Sequence, residues 1–192
     1  VHSSHTRGRH KRLTRRGHSG GMELAVRNWP PEGEALALDH ERFIYGGKFN
    51  TGRTGKAVAR DGGEVVAAVA FNEDRTDADT LRFRYVSVRV DRRAEGVGPR
   101  LLAFAAERAS EHGYEQVQIA VNNPYAYEAC YRAGFTFTGE ETGMAELLMT
   151  YPPEDRSPAR YREGLDIFAE RDLPTDQTEF VARTDDTPPD PI

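Results

Sequence analysis

The sequence predicts an α/β (α+β) domain built on a mixed, largely antiparallel sheet. Three observations carry this. Short strand-like runs of period two recur from residue 23 to residue 151, separated by few helical patterns. Two of these runs, 56–60 and 64–71, are joined by Asp61-Gly62-Gly63, a tight hairpin signal. A third run, 80–90, leads into Arg93-Ala94-Glu95-Gly96-Val97-Gly98-Pro99-Arg100 and then into the helical pattern Leu101, Leu102, Phe104, Ala105, Ala109, so strand, glycine loop and helix follow one another directly.

Taken in order, Glu23–Arg27 reads as a short strand, broken by Trp29-Pro30-Pro31 because proline removes a donor and restricts its neighbour. Glu34–Tyr45 is expected as a helix, with Leu36, Leu38, Phe43 and Ile44 as its buried face, and 46–55, rich in Gly, Thr and Asn, as a loop. Two hairpin strands follow. Residues 72–79 make a polar turn, and Thr80–Val90 a third strand in which Leu81, Phe83 and Tyr85 alternate with Arg82 and Arg84. Pro99–His112 is a helix ended by Gly113. Gln116–Val121 is a buried strand. Asn123 is a good N-cap and Pro124 a good first residue for the next helix, which Gly134 ends. Strands are expected at 135–138 and 145–151, a helix over 158–170 and a last strand at 179–182. Pro152-Pro153 marks the end of the main domain, so the expected organisation is a leader (1–21), a core domain (22–151) and an extension (152–192) with an acidic, proline-rich tail.

Charge divides the chain. Residues 1–21 hold six basic side chains (Arg7, Arg9, Lys11, Arg12, Arg15, Arg16) and no acid. Removing these six from the 26 basic residues leaves 20 against 31 acidic ones, a net of −11 for 22–192. Such a body is a poor nucleic-acid binder, since a phosphate backbone needs a basic face. The leader shows no hydrophobic periodicity and is expected to be disordered, either as an extension ahead of Met22 or, in a sharper reading, as a basic arm for nucleic acid or anionic lipid. No apolar run approaches the roughly 18 residues of a membrane span, and no apolar stretch follows the basic start as in a signal peptide. The expected compartment is the cytoplasm. Cys130 is the one cysteine, which excludes an intrachain disulfide, and no His/Asp/Glu spacing suggests a metal.

A strand running through a glycine loop into a helix aims backbone N–H groups at whatever lies over the helix start, and the helix dipole favours an anion there. Gly96 and Gly98 let backbone approach a ligand closely. The same residues also make an ordinary strand–helix turn, and spacing alone does not separate the two readings.

Arg93-x-x-Gly96-x-Gly98, after the strand ending Val88-Arg89-Val90, resembles the acyl-CoA loop of the GCN5-related N-acetyltransferases (GNAT). Downstream, Asn123-Pro124-Tyr125-Ala126-Tyr127-Glu128-Ala129-Cys130-Tyr131-Arg132-Ala133-Gly134-Phe135 is similar to that family's Asn-x-x-Ala-x-x-x-Tyr-x-x-x-Gly-Phe segment. The resemblance covers about residues 22–151. It implies a central sheet with helices on both faces and a splayed strand pair that holds acetyl-CoA, and transfer of an acetyl group to the amine of a small molecule or peptide. It also implies a CoA site made of Val88, Val90, Arg93, Ala94, Glu95, Gly96, Val97, Gly98, Arg100, Asn123 and Ala126. No metal is expected from the spacing, and segment 158–182 could pack on its own domain or on a second subunit, which leaves a homodimer possible. A CoA-binding module without turnover is the alternative.

Three departures from the family pattern bear on chemistry. Pro99 has no N–H to give a phosphate, and Glu95 places a carboxylate where the family commonly has a base. The position of the family's tyrosine, its usual proton donor to the leaving thiolate, holds Cys130, with Tyr131 one place late and so rotated about 100° on a helix. Cys130 is therefore either a thiol donor or a core thiol; Tyr131 is the other candidate donor, and water is a third source of the proton. For the base, the strand 80–90 offers no carboxylate. Glu73, at the end of the preceding strand, is the nearest candidate, and Ser87 and Tyr85 could instead hold a relaying water.

Overall fold

A computed structural model describes residues 21–184 and 187–192. The leader reading for 1–20 lies outside these residues. Seven strands form one sheet in the order β1-β2-β3-β4-β5-β7-β6: β1 Glu23–Asn28, β2 Gly55–Asp61, β3 Glu64–Glu73, β4 Thr80–Val88, β5 Gln116–Val121, β6 Thr136–Glu141 and β7 Leu147–Tyr151. Every neighbouring pair is antiparallel except β4–β5, which is parallel and joined through helix α1, Val97–Glu111. Helix α2 spans Pro124–Arg132, α3 Pro158–Ala169 and α4 Thr175–Arg183.

One continuous core joins the inward residues of the sheet (Ala57, Val69, Phe71, Leu81, Phe83, Val117, Ile119, Phe137, Met149) to α1 (Leu101, Leu102, Ala105), α2 (Tyr127, Cys130, Tyr131) and α3 (Tyr161, Leu165, Phe168). The alternation along β3 and β4 turns Val65, Ala68, Ala70 and Tyr85 to a second, smaller cluster with Leu36, Leu38 and Phe49.

The expected helix over 34–45 is not formed. Leu36 donates its N–H to the Phe49 carbonyl (3.0 Å), and the segment runs as an irregular cover over the second face, ending in one 3-10 turn at Gly46–Phe49. The apolar residues there sit at helical spacing, but burying Leu36 and Phe49 together needs the chain to double back; it turns at Tyr45 (φ 63°), and Gly46 leaves room for the Leu38 carbonyl, 3.0 Å from a Cβ built there. The expected strand at 179–182 is helical: a run of four apolar and polar residues does not fix a period, and Val181 and Phe180 pack inward from α4, Phe180 against Tyr125 (ring centroids 4.7 Å apart). The extension 152–192 docks α3 onto β6 and α4 onto α2 and α3.

Candidate active site

The sheet opens between β4 and β5. Their pairing runs from Thr80↔Gln116 to Phe83↔Ile119 and stops, while β4 continues to Val88 and keeps β3 as its other neighbour through Ala67↔Val88. Residues 84–88 therefore present a backbone edge with no strand beside it. A bulge falls at the opening: Ala70 pairs with Tyr85 and Phe71 with Phe83, leaving Arg84 unmatched.

Immediately beyond this edge lies the glycine loop. Ala94 (φ 61°) and Gly96 (φ 75°) are left-handed, and Gly96 caps α1 without any side-chain acceptor. Among the described residues the N–H groups of Glu95, Gly96, Val97 and Gly98 make no hydrogen bond, Pro99 has none, and Arg100 N–H returns to the Gly96 carbonyl (3.3 Å). This concave run of free donors at a helix start suits an anion. Gly98 brings α1 close to β4: a Cβ there would stand 3.3 Å from Val88 Cγ2. Glu95 does not spoil the cradle, because Arg92 spans from its carboxylate (2.7 Å) to that of Asp61 (2.7 Å). Arg93 and Arg100 are exposed beside the loop with no ion pair among the described residues. These features fit a diphosphate with an amide-bearing arm, the two parts meeting where β4 ends and α1 begins.

Val90 is a correction. β4 ends at Val88, and Val90 lies in a 3-10 turn (Val90–Arg92) with its N–H given to the Arg42 carbonyl (2.9 Å), so it is absent from the free edge. Val88 stays on the edge, half-buried. Asn123 caps α2 as expected: its Oδ1 accepts from the Ala126 N–H (2.9 Å) and its Nδ2 donates to Asn122 (3.1 Å).

The three candidate proton carriers do not come together. Cys130 is 1% exposed in the main core, and burial pushes its thiol up to about 12. Tyr131 donates its hydroxyl to the Arg156 carbonyl (3.1 Å) and lies under the Arg156 guanidinium (4.3 Å). Glu73 pairs with Leu81 at the closed end of β3–β4 and accepts from the Tyr114 hydroxyl (3.0 Å), whose pKa burial and this carboxylate raise to about 12. Ser87 donates to the Ile44 carbonyl, which fixes the cover segment to β4. Of the residues read from sequence, Tyr85 is the hydroxyl left at the opening.

Two features escaped the sequence reading. Ile192 donates its N–H to the Arg132 carbonyl (3.0 Å), and its side chain reaches Gly96 (3.7 Å from a Cβ built there), so Ile192 lies between the end of α2 and the glycine loop. Asp74 accepts from the Thr76 hydroxyl (2.7 Å) and amide (2.9 Å) and pairs with Arg82; these bonds, Thr76 first, hold its carboxyl well below the usual carboxylate range. A depressed carboxyl stabilises the fold fully above the unfolded value of about 3.9, and the contribution is lost as pH falls through the folded value. The gap in melting temperature between the wild type and Asp74→Asn should thus stay constant from pH 7 to about 4.5 and close below pH 4. A gap that does not change with pH would contradict it.

Among the described residues no group of three His, Cys, Asp or Glu could hold a metal, and no helix is long and apolar enough to cross a membrane.

Residues 21–135 match the Acetyltransferase (GNAT) family. Of solved structures, an acetyltransferase from Bacillus subtilis in complex with CoA is 13% identical, with 68% of this chain and 97% of that one covered and a TM-score of 0.51. An N-acetyltransferase from Staphylococcus aureus is 18% identical (51% and 66% covered, TM-score 0.43). A GNAT-superfamily phosphinothricin acetyltransferase from Sinorhizobium meliloti in complex with acetyl-CoA is also 18% identical (52% and 60% covered, TM-score 0.46). The chain spans less than two thirds of the last two. No curated protein sequence matches.

Proposed function

This chain belongs to the GNAT acetyltransferase family, and on that premise we propose that it is an N-acetyltransferase using acetyl-CoA and an amine acceptor. The observation that carries the reading is the meeting of the free β4 edge (84–88) with the uncapped start of α1. The amides of Glu95–Gly98 take the pyrophosphate, with Arg93 and Arg100 adding positive charge. Val88 and its neighbours on β4 pair with the amide-containing arm as a pseudo-strand. Asn123 and Ala126 set the start of α2, which borders the other side of the gap.

The cofactor supplies an acyl carbon activated as a thioester: attack by a neutral amine forms a C–N bond as the C–S bond breaks, one proton leaves the nitrogen, and one ends on the thiol sulfur. The role of holding a water that accepts the first proton is assigned to Tyr85, which follows Arg84 just past the last β4–β5 pair. Return of the second proton falls to water, because the Cys130 thiol is sealed in the core and the Tyr131 hydroxyl is committed to Arg156.

A second reading, a CoA-binding module without turnover, is favoured by the same commitment of Cys130 and Tyr131. One assay separates the two. With acetyl-CoA and a panel of amines, thiol release above the hydrolysis rate is expected for at least one amine. CoA binding without release to any amine supports the second reading. Absence of CoA binding overturns both.

A further inference from the structure

A cavity of about 590 Å³ opens on the second face of the sheet, where β3 ends and β4 passes its middle. Asn72, Asp74, Arg75, Arg82, Arg84 and Tyr85 line it. Its volume is that of a small-molecule site. Its place is set by the bulge: Arg84 is the unmatched residue of β4 and the first one past the last β4–β5 pair. Arg84 and Tyr85 thus belong both to the cavity lining and to the stretch of β4 just past its last pair with β5.

The lining is cationic in a body that is otherwise acidic. Three guanidinium groups face one carboxylate. Arg82 is spoken for by Asp74. Arg84 is not: its Nε donates to Asn72 Oδ1 (2.6 Å), and no carboxylate lies within ion-pair distance among the described residues. Partial burial and the neighbouring Arg82 charge lower its pKa, and the Asp74 carboxylate offsets part of this. With Nε held by Asn72, the remaining N–H donors form a fork whose geometry matches a carboxylate. A second cation in this cavity would meet repulsion from Arg75 and Arg84, so a polyamine or a lysine side chain is a poor fit.

We propose that this cavity is the acceptor site and that Arg84 reads a carboxylate on the acceptor, which makes the substrate a small amine of amino-acid type. The inference rests on the acetyl-transfer reading, and its test separates the two. Free L-amino acids and their carboxamides form the probe panel. Binding of each is measured by calorimetry in the presence of CoA, and acetylation is measured separately with acetyl-CoA.

The wild type should bind, and acetylate, at least one acid 10- to 100-fold better than its amide. Arg84→Met should erase that ratio, and Arg84→Lys should keep part of it. The melting temperature and CoA affinity of each variant serve as the folding control. Preferential binding of an acid that is lost in Arg84→Met supports the assignment even where no acetylation follows, a result that would sink the transferase reading alone. Acetylation of amines with equal rates for acid and amide, or an acid/amide ratio unchanged in Arg84→Met, overturns the assignment and leaves the transferase reading standing.

Discussion

Gly98→Glu should abolish CoA binding, with a loss of at least about 100-fold, or roughly 3 kcal/mol at 1.4 kcal/mol per decade. Two effects act together. A Cβ at position 98 would stand 3.3 Å from Val88 Cγ2, so the Val88 side chain or the start of α1 must give by a few tenths of an ångström. The new carboxylate then lies within the run of free amides from Glu95 to Gly98, where like-charge repulsion with a diphosphate costs about 1 kcal/mol in bulk water and about 4 kcal/mol near a protein surface. Gly98→Ala brings only the first effect and should weaken binding several-fold. Titration calorimetry with CoA reads both, and near-UV circular dichroism shows whether the fold is kept. A folded Gly98→Glu protein that binds CoA like the wild type would show that the cradle lies elsewhere.

Gly164→Ala is expected to be strongly destabilising for a change of one methyl. Gly164 lies on α3 against the ring of Tyr127 on α2. A Cβ there would collide with the Tyr127 hydroxyl and Cζ and come within 2.7 Å of Cε2. That ring has nowhere to go. It is fully buried, stacks on Tyr161 with centroids 5.4 Å apart, and donates its hydroxyl to the Tyr161 carbonyl at 3.0 Å. Overpacking costs about 1–3 kcal/mol and an orphaned buried hydroxyl about 1–3 more. At 2–4 °C per kcal/mol for a chain of this size, a loss of about 3 kcal/mol lowers the melting temperature by roughly 6–12 °C. Tyr127→Ala vacates the space, so the double variant should be far less than additive. A Gly164→Ala melting temperature within 2 °C of the wild type would contradict this packing.

What the sequence made legible and what it hid follow physical lines. The strand into the glycine loop, the Asn123 cap and the first turn of α2 are local events, set by residues adjacent in the chain, and they were readable. The cover segment 34–50 was not. Its course is decided by Leu36 and Phe49 meeting Ala68 and Ala70 across the sheet, a long-range preference that overrides helical spacing. α4 was misread for the opposite reason: too few residues carry a period there. In the site, the register that puts Cys130 in the tyrosine's place was visible, but its burial was not, since one face of α2 looks much like another until α3 docks on it. Glu73 was close to the gap in sequence order yet is held at the closed end of the hairpin by Tyr114. The charge of Glu95 looked harmful until Arg92 proved to bridge it to Asp61, 34 positions away in the chain.

Backbone amide resonances followed during a CoA titration test the central claim most directly. The shifts of Gly96, Val97 and Gly98 at the start of α1, and of Tyr85 to Val88 on the free edge of β4, should move together with a single saturation curve, while those of β1 and β2 stay still. Saturable shifts confined to other parts of the chain, or none in either of these two stretches, would contradict a CoA site built where β4 opens and α1 begins.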